Sequence, residues 1–190
     1  HPSTLHTRVI VQERPLGPQD YRRLQSTIES DIDQWLGWMK QDMHRYGRSQ
    51  AMDVALEAGQ PPFNSAMLAA PFFRTGLQEH SRLVEGRWPQ AAPSRGPNGE
   101  LVLEAALGPA TSRIMQWPLG TTIYLLPFSD PNEYIAVNLV GLVEPQDPDE
   151  LFWLGDVSYF SPIEEVNRLL GPLYVSEEAF FQGLGAAYPS

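Results

Sequence analysis

Thr121–Val143 reads TTIYLLPFSDPNEYIAVNLVGLV, and its interpretation decides the fold. Two runs rich in β-branched, aromatic and aliphatic residues, Thr121–Phe128 and Tyr134–Val143, flank the polar, proline-containing step Ser129-Asp-Pro-Asn132. Runs of that length bounded by turn residues predict two strands joined as an antiparallel pair. Working outward, Ser65–Phe73 and Glu100–Leu103 also read as strands, Gly76–Ser81 as a turn or short helix, and Gln90–Gly99 as a loop. Glu104–Trp117 reads as a helix, although Gly108 and Pro109 interrupt it. Downstream, Glu144–Glu150 (EPQDPDE) is an acidic loop broken by proline, Pro162–Leu170 reads as a short helix and Pro172–Val175 as a short strand. Ser176, followed by Glu177 and Glu178, has the signature of an N-cap with acids in the first turn.

Near the other end, His6–Glu13 reads as a strand and Pro18 opens the strongest helical signal in the chain. Tyr21, Leu24, Ile28, Ile32, Trp35 and Met39 recur at three- and four-residue spacing, which predicts a stripe facing the core. Glu29, Asp31 and Asp33 lie off it, on a solvated face. Gln50–Glu57 returns to period two. Strand, helix, strand is a βαβ crossover unit, right-handed if its strands are parallel. The predicted architecture is α+β with two lobes: a crossover lobe from 1–60 and 157–190, and a mainly β lobe inserted at 61–156.

Composition narrows the chemistry. The 190 residues are 42% hydrophobic and 19% charged, a globular balance. Thirteen basic residues against 23 acidic ones give a net charge of −10, which argues against a nucleic-acid partner because phosphate needs a basic face. The absence of cysteine removes disulfides, thiolate metal sites and thiol nucleophiles. No Gly-x-Ser-x-Gly elbow occurs, no His pair stands four apart, and the sole lysine, Lys40, has no glycine-rich phosphate loop around it. No catalytic, cofactor-binding or metal-binding residue is assigned. His6, His44 and His80 read as surface or loop histidines, and Asp130, Asn132 and Glu133, or Asp147, Asp149 and Glu150, as solvated acidic turns.

From Leu83 the features fall into a recognisable order. Leu83-Val-Glu-Gly-Arg-Trp-Pro89 precedes Gly99-Glu-Leu-Val-Leu-Glu-Ala-Ala-Leu107, then Pro118-Leu-Gly-Thr-Thr-Ile-Tyr-Leu125, then Val137-Asn-Leu-Val-Gly-Leu-Val-Glu-Pro145. This series resembles the extracytoplasmic domain of FtsX-like (MacB-like periplasmic core) ABC transporter permeases. The 6–57 unit and Pro172-Leu-Tyr-Val-Ser-Glu-Glu-Ala-Phe180 are similar to the flanking parts of those domains. Thr121 stands where that family often has Asp, and Asn138-Leu-Val-Gly replaces its more usual ending. Gly86, Arg87, Pro89, Gly120 and Gly141 are the motif positions, and they read as structural: glycines where a strand bends or meets another backbone.

The resemblance implies a domain outside the cell membrane, without catalysis or cofactor of its own. It would pass ATP-driven motion of membrane spans to a substrate or partner protein. The implied partners are an ABC ATPase subunit, reached through spans not in this sequence, and a second permease copy. Leu151, Phe152 and Trp153, following the acidic loop, are expected to form an exposed contact tip. Two other classes remain open at this stage: an extracellular ligand-sensing or solute-binding module, and a secreted hydrolase using carboxylates. A deep pocket would favour the first and a close acid pair in a cleft the second.

Overall fold

The computed structural model describes residues 17–38, 40, 42–127, 130–154, 157–165 and 167–184. The expected strand His6–Glu13 and Met39 of the helical stripe lie outside them. The architecture is α+β. Ten strands among the described residues form one mixed sheet. In chain order the elements are α1 (Pro18–Leu36), β1 (Tyr46–Arg48), β2 (Met52–Ala55), β3 (Met67–Arg74), α2 (Leu77–His80), β4 (Ser81–Gly86), β5 (Ser94–Arg95), β6 (Leu101–Leu107), α3 (Pro109–Met115), β7 (Thr122–Leu126) and β8 (Ile135–Pro145). After two 3₁₀ turns, Leu151–Trp153 and Ser158–Phe160, come β9 (Ile163–Glu165), β10 (Arg168–Tyr174) and α4 (Glu177–Ala179), which runs on as a π turn, Phe180–Leu184.

The main path of the sheet is β1-β3-β2-β7-β8-β6-β10-β9, with β4 on β8 and β5 on β6. β7 and β8 are the expected antiparallel pair, with Ile123 opposite Val137. β6 and β8 run parallel, as do β3 and β10. β3, from the 61–156 range, is hydrogen-bonded to β2 and to β10, so the sheet runs through both expected ranges.

Two stretches expected to be helical contain strands. Glu104–Leu107 belongs to β6, because Leu103, Ala105 and Leu107 keep period two and are wholly buried between β8 and the helical layer. The helix begins only after Gly108, with Pro109 in its first turn, where a missing N–H costs nothing. Pro162–Leu170 contributes β9 and the start of β10, which pair with each other. Asn167, at φ 63°, lies in the turn between them, and Leu170 is buried in line with Leu68 of β3. Ser176 does cap the last helix: its Oγ accepts from the Ala179 N–H at 2.8 Å.

Two apolar clusters cover the sheet's opposite faces. The larger holds Leu103, Ala105, Ile135, Val137 and Leu139 against Met115, Trp117 and the 179–184 turn. The second holds Ala106, Val143, Phe152, Trp153 and Phe160. Residues 137, 139 and 143 of β8 have the same parity, yet Val143 sits on the other side. The β6–β8 register slips by one between Leu139 and Gly141, leaving Val140 as a bulge that exchanges the faces.

α1 forms as its spacing predicts, but no residue on it is buried. Tyr21, Leu24, Ile28 and Ile32 are half-buried, whereas Trp35, expected in the core stripe, is 70% exposed. The far end of the helix overhangs the body.

Candidate functional site

Gly86, Arg87 and Gly141 of the motif residues converge on the Val140 bulge. Gly86 ends β4 at φ 79°, and a Cβ there would overlap the Val140 carbonyl oxygen. That oxygen accepts from the Arg87 N–H at 2.9 Å. A Cβ on Gly141 would in turn overlap the Arg87 carbonyl oxygen. The two glycines are therefore a matched pair that lets two backbones cross at contact distance. Arg87 then reaches β6 with both terminal nitrogens, 2.5 Å from each Glu104 oxygen, and Glu104 also accepts from the Gln90 N–H at 2.9 Å. These bonds, the Arg87 pair foremost, hold the Glu104 carboxyl below its ordinary value against the opposing effect of burial. Gly120, at φ 84°, makes an open turn with nothing near its Cβ position, and its N–H donates to Leu139 O at 2.8 Å. Pro89 borders a cleft described below.

The expected tip divides. Leu151 is 59% exposed, but Phe152 and Trp153 are buried, because the 3₁₀ turn points them inward. The Arg74 guanidinium lies 4.2 Å from the Phe152 ring centre and donates to the Phe152 carbonyl. His80 stacks on the same ring at 3.8 Å, and the Trp153 indole N–H donates to Asp147 O at 2.9 Å. An arginine, an imidazole and a backbone acceptor thus draw in the pair that the adjacent acidic loop seemed to project. Leu154, at φ 55°, leaves the turn exposed beside Leu151.

A third cluster has no sequence motif. Arg45 donates to both oxygens of Glu177, at 2.9 and 3.1 Å, and to Glu29 of α1 at 3.2 Å. The Tyr21 hydroxyl donates to Glu177, and its ring stacks on Phe181 at 3.6 Å. Burial, reinforced by Glu177, pushes the Tyr21 hydroxyl well above its usual pKa. Burial alone would raise the Glu177 carboxyl too, but the bonds from Arg45 and Tyr21 and the Arg45 charge outweigh it, and its pKa falls. Tyr21 fits the apolar stripe of α1 in sequence, whereas its partners Arg45 and Glu177 carry no signal there. Partners 132 residues apart leave no local pattern to find.

A half-open cleft of about 340 Å³ lies where the parallel strands β3 and β10 end, bordered by Arg74, Trp88, Pro89, Tyr174 and Glu177. Its central polar groups are already committed. Glu177 holds Arg45, Thr75 Oγ accepts from the Arg45 N–H, and Ser176 caps α4 and donates to Ala91 O. Among the described residues no cluster of three or more His, Asp or Glu is placed to hold a metal ion, and no helix is long and apolar enough to cross a membrane. The Arg87–Glu104 and Arg45–Glu177–Tyr21 contacts join segments that lie apart in sequence. No family model, curated protein or solved structure matches the chain.

Proposed function

We propose that this chain is the extracytoplasmic domain of an FtsX-like ABC transporter permease, relaying movement of membrane spans to a substrate or partner protein in export or mechanotransmission. The observation that carries the reading is the contact between motifs that lie apart in sequence. The Gly-Arg turn of the first grips the Glu of the second through Arg87 and Glu104, and fits against Gly141 of the fourth. The third meets the fourth through the β7–β8 ladder and the Thr122–Asn138 bond of 2.7 Å. Motifs that interlock are a reason for those residue types to occur in that order. Force transmission also requires stiff connections between remote segments. The Arg45–Glu177–Tyr21 cluster ties α1 directly to α4, which follows β10 of the ten-stranded sheet.

In this role the domain forms no bonds, and the energy comes from an ATPase partner. The test is made on the native gene product carrying an epitope within this chain. Resistance to alkaline extraction from membranes, protease access from outside intact spheroplasts, and co-purification with a nucleotide-hydrolysing subunit are the expected results. Recovery as a membrane-free protein, or saturable ATP binding by the 190-residue chain in calorimetry, would overturn the proposal.

A further inference from the structure

The largest apolar side chains left in solvent are at the overhanging end of α1: Trp35 is 70% exposed and Trp38 85%. Tryptophan is ordinarily well buried even where it is not fully enclosed. Gly37 keeps right-handed helical angles and the Lys40 N–H bonds to Leu36 O at 3.1 Å, so the helical path continues past residue 36. Residues 35 and 38 therefore stand three apart on one helical surface, side by side. Neither indole makes a ring contact among the described residues.

The surroundings are electronegative. Asp31, exposed, is one turn before Trp35 on the same side of the helix. The last turn of α1 carries no basic residue to offset the negative end of the helix dipole. Lys40 is engaged by Asp33. Two open indole faces beside a carboxylate and a helix C-terminus make a surface that attracts cations, through ring quadrupoles and charge together. A second copy of the chain, at net charge −10, is a poor occupant, and so is an anionic lipid surface. Guanidinium is the best match, since it is planar, stacks on indole and forks onto carboxylate.

We infer that Trp35, Trp38 and Asp31 form a docking surface for an arginine-bearing segment of a partner protein. This rests on the exposure and charge of α1 and is independent of the permease reading. Substitutions here disturb no buried contact, so the variants fold.

The test is a titration of the isotopically labelled full chain with the peptide acetyl-Gly-Arg-Gly-Arg-Gly-amide, following the five tryptophan indole N–H signals by NMR. Trp35→Ala and Trp38→Ala assign two of them. The expected result is saturable movement of those two signals alone, binding weakened about tenfold when citrulline replaces arginine, and a loss of about fivefold for either Trp→Ala variant read at the remaining indole. Asp31→Asn weakens it in the same direction. Absence of movement, equal response to the citrulline peptide, or movement with phosphatidylcholine vesicles in place of the peptide would overturn the inference.

Discussion

Three glycine-to-alanine substitutions separate two costs that coincide at the centre of the motif block. At Gly120 the backbone has φ 84° and a Cβ would meet nothing within 4 Å, so alanine adds only the left-handed conformational cost, about 1–2 kcal/mol. At Gly141 φ is ordinary, but a Cβ would overlap Arg87 O, so alanine adds only the displacement of a packed backbone, about 1–3 kcal/mol. Gly86 combines both, with φ 79° and overlap on Val140 O. Gly86→Ala should then lose about 2–5 kcal/mol, the sum of the two, because a backbone oxygen cannot rotate aside as a side-chain end can. Urea melts of the three variants and the parent provide the measurement, with unchanged slopes required for the comparison. For a chain of this length the Gly86→Ala loss corresponds to a melting temperature lower by about 4–20 °C. Gly86→Ala no more destabilising than Gly120→Ala would mean that the two backbones do not cross at contact distance, and the account of the motif glycines would be wrong.

Trp153→Ala should cost about 3–5 kcal/mol and Leu151→Ala within about 0.5 kcal/mol, measured by the same melts; equal effects would contradict the inward turn at Phe152 and Trp153. Glu104 and Glu177 both have folded pKa values below the ordinary 4.5, so their contributions are complete above that pH and are lost as pH falls through the folded values. The stability gap between the parent and Glu104→Gln, measured at a series of pH values, should therefore narrow on acidification below 4.5; a pH-independent gap would count against the Arg87 pairing. Tyr21 should be among the last tyrosines to ionise in an ultraviolet titration, and Tyr21→Phe should remove that late step while increasing hydrogen exchange along α1. Retention of the late step in the variant would assign it to another tyrosine.

The sheet was legible where β-branched, aromatic and aliphatic residues ran together between turn signals. Thr122–Leu126 and Ile135–Pro145 could be read directly, and so could α1, the Ser176 cap and Met67–Arg74. Glu104–Leu107 was misread because Glu-Ala-Ala-Leu has strong helix propensity, whereas the parallel partner β8 and a buried position in the sheet favour the extended chain. Pro162–Leu170 was misread because it folds back on itself, β9 on β10, and only its end, Leu169 and Leu170, is held by β3, about a hundred residues away in sequence. The motif glycines read as places where the chain turns, bends or approaches another segment, but the sequence does not show that Gly86 and Gly141 each meet a backbone oxygen while Gly120 meets nothing. The bulge at Val140 that relates them is a register slip, and a slip has no composition of its own. Phe152 and Trp153 show the same limit: the acidic loop suggested projection, while Arg74 and His80, distant in sequence, decided burial.

Among the described strands β10 is the last in sequence, yet it lies in the interior of the sheet, alongside β3 from Leu169 to Tyr174. On a ribosome, β3 must wait through the synthesis of some hundred residues with that flank bare, and its sequence, MLAAPFF, is the kind that recruits neighbouring nascent chains. Pro71 lies within that stretch, but its backbone faces β1, its carbonyl accepting from the Ser49 N–H at 3.0 Å, while Phe72 turns its carbonyl to the Val175 N–H of the other flank. Pro71 therefore leaves the hydrogen-bonding groups of that flank intact, and the exposure ends only when β10 closes the gap.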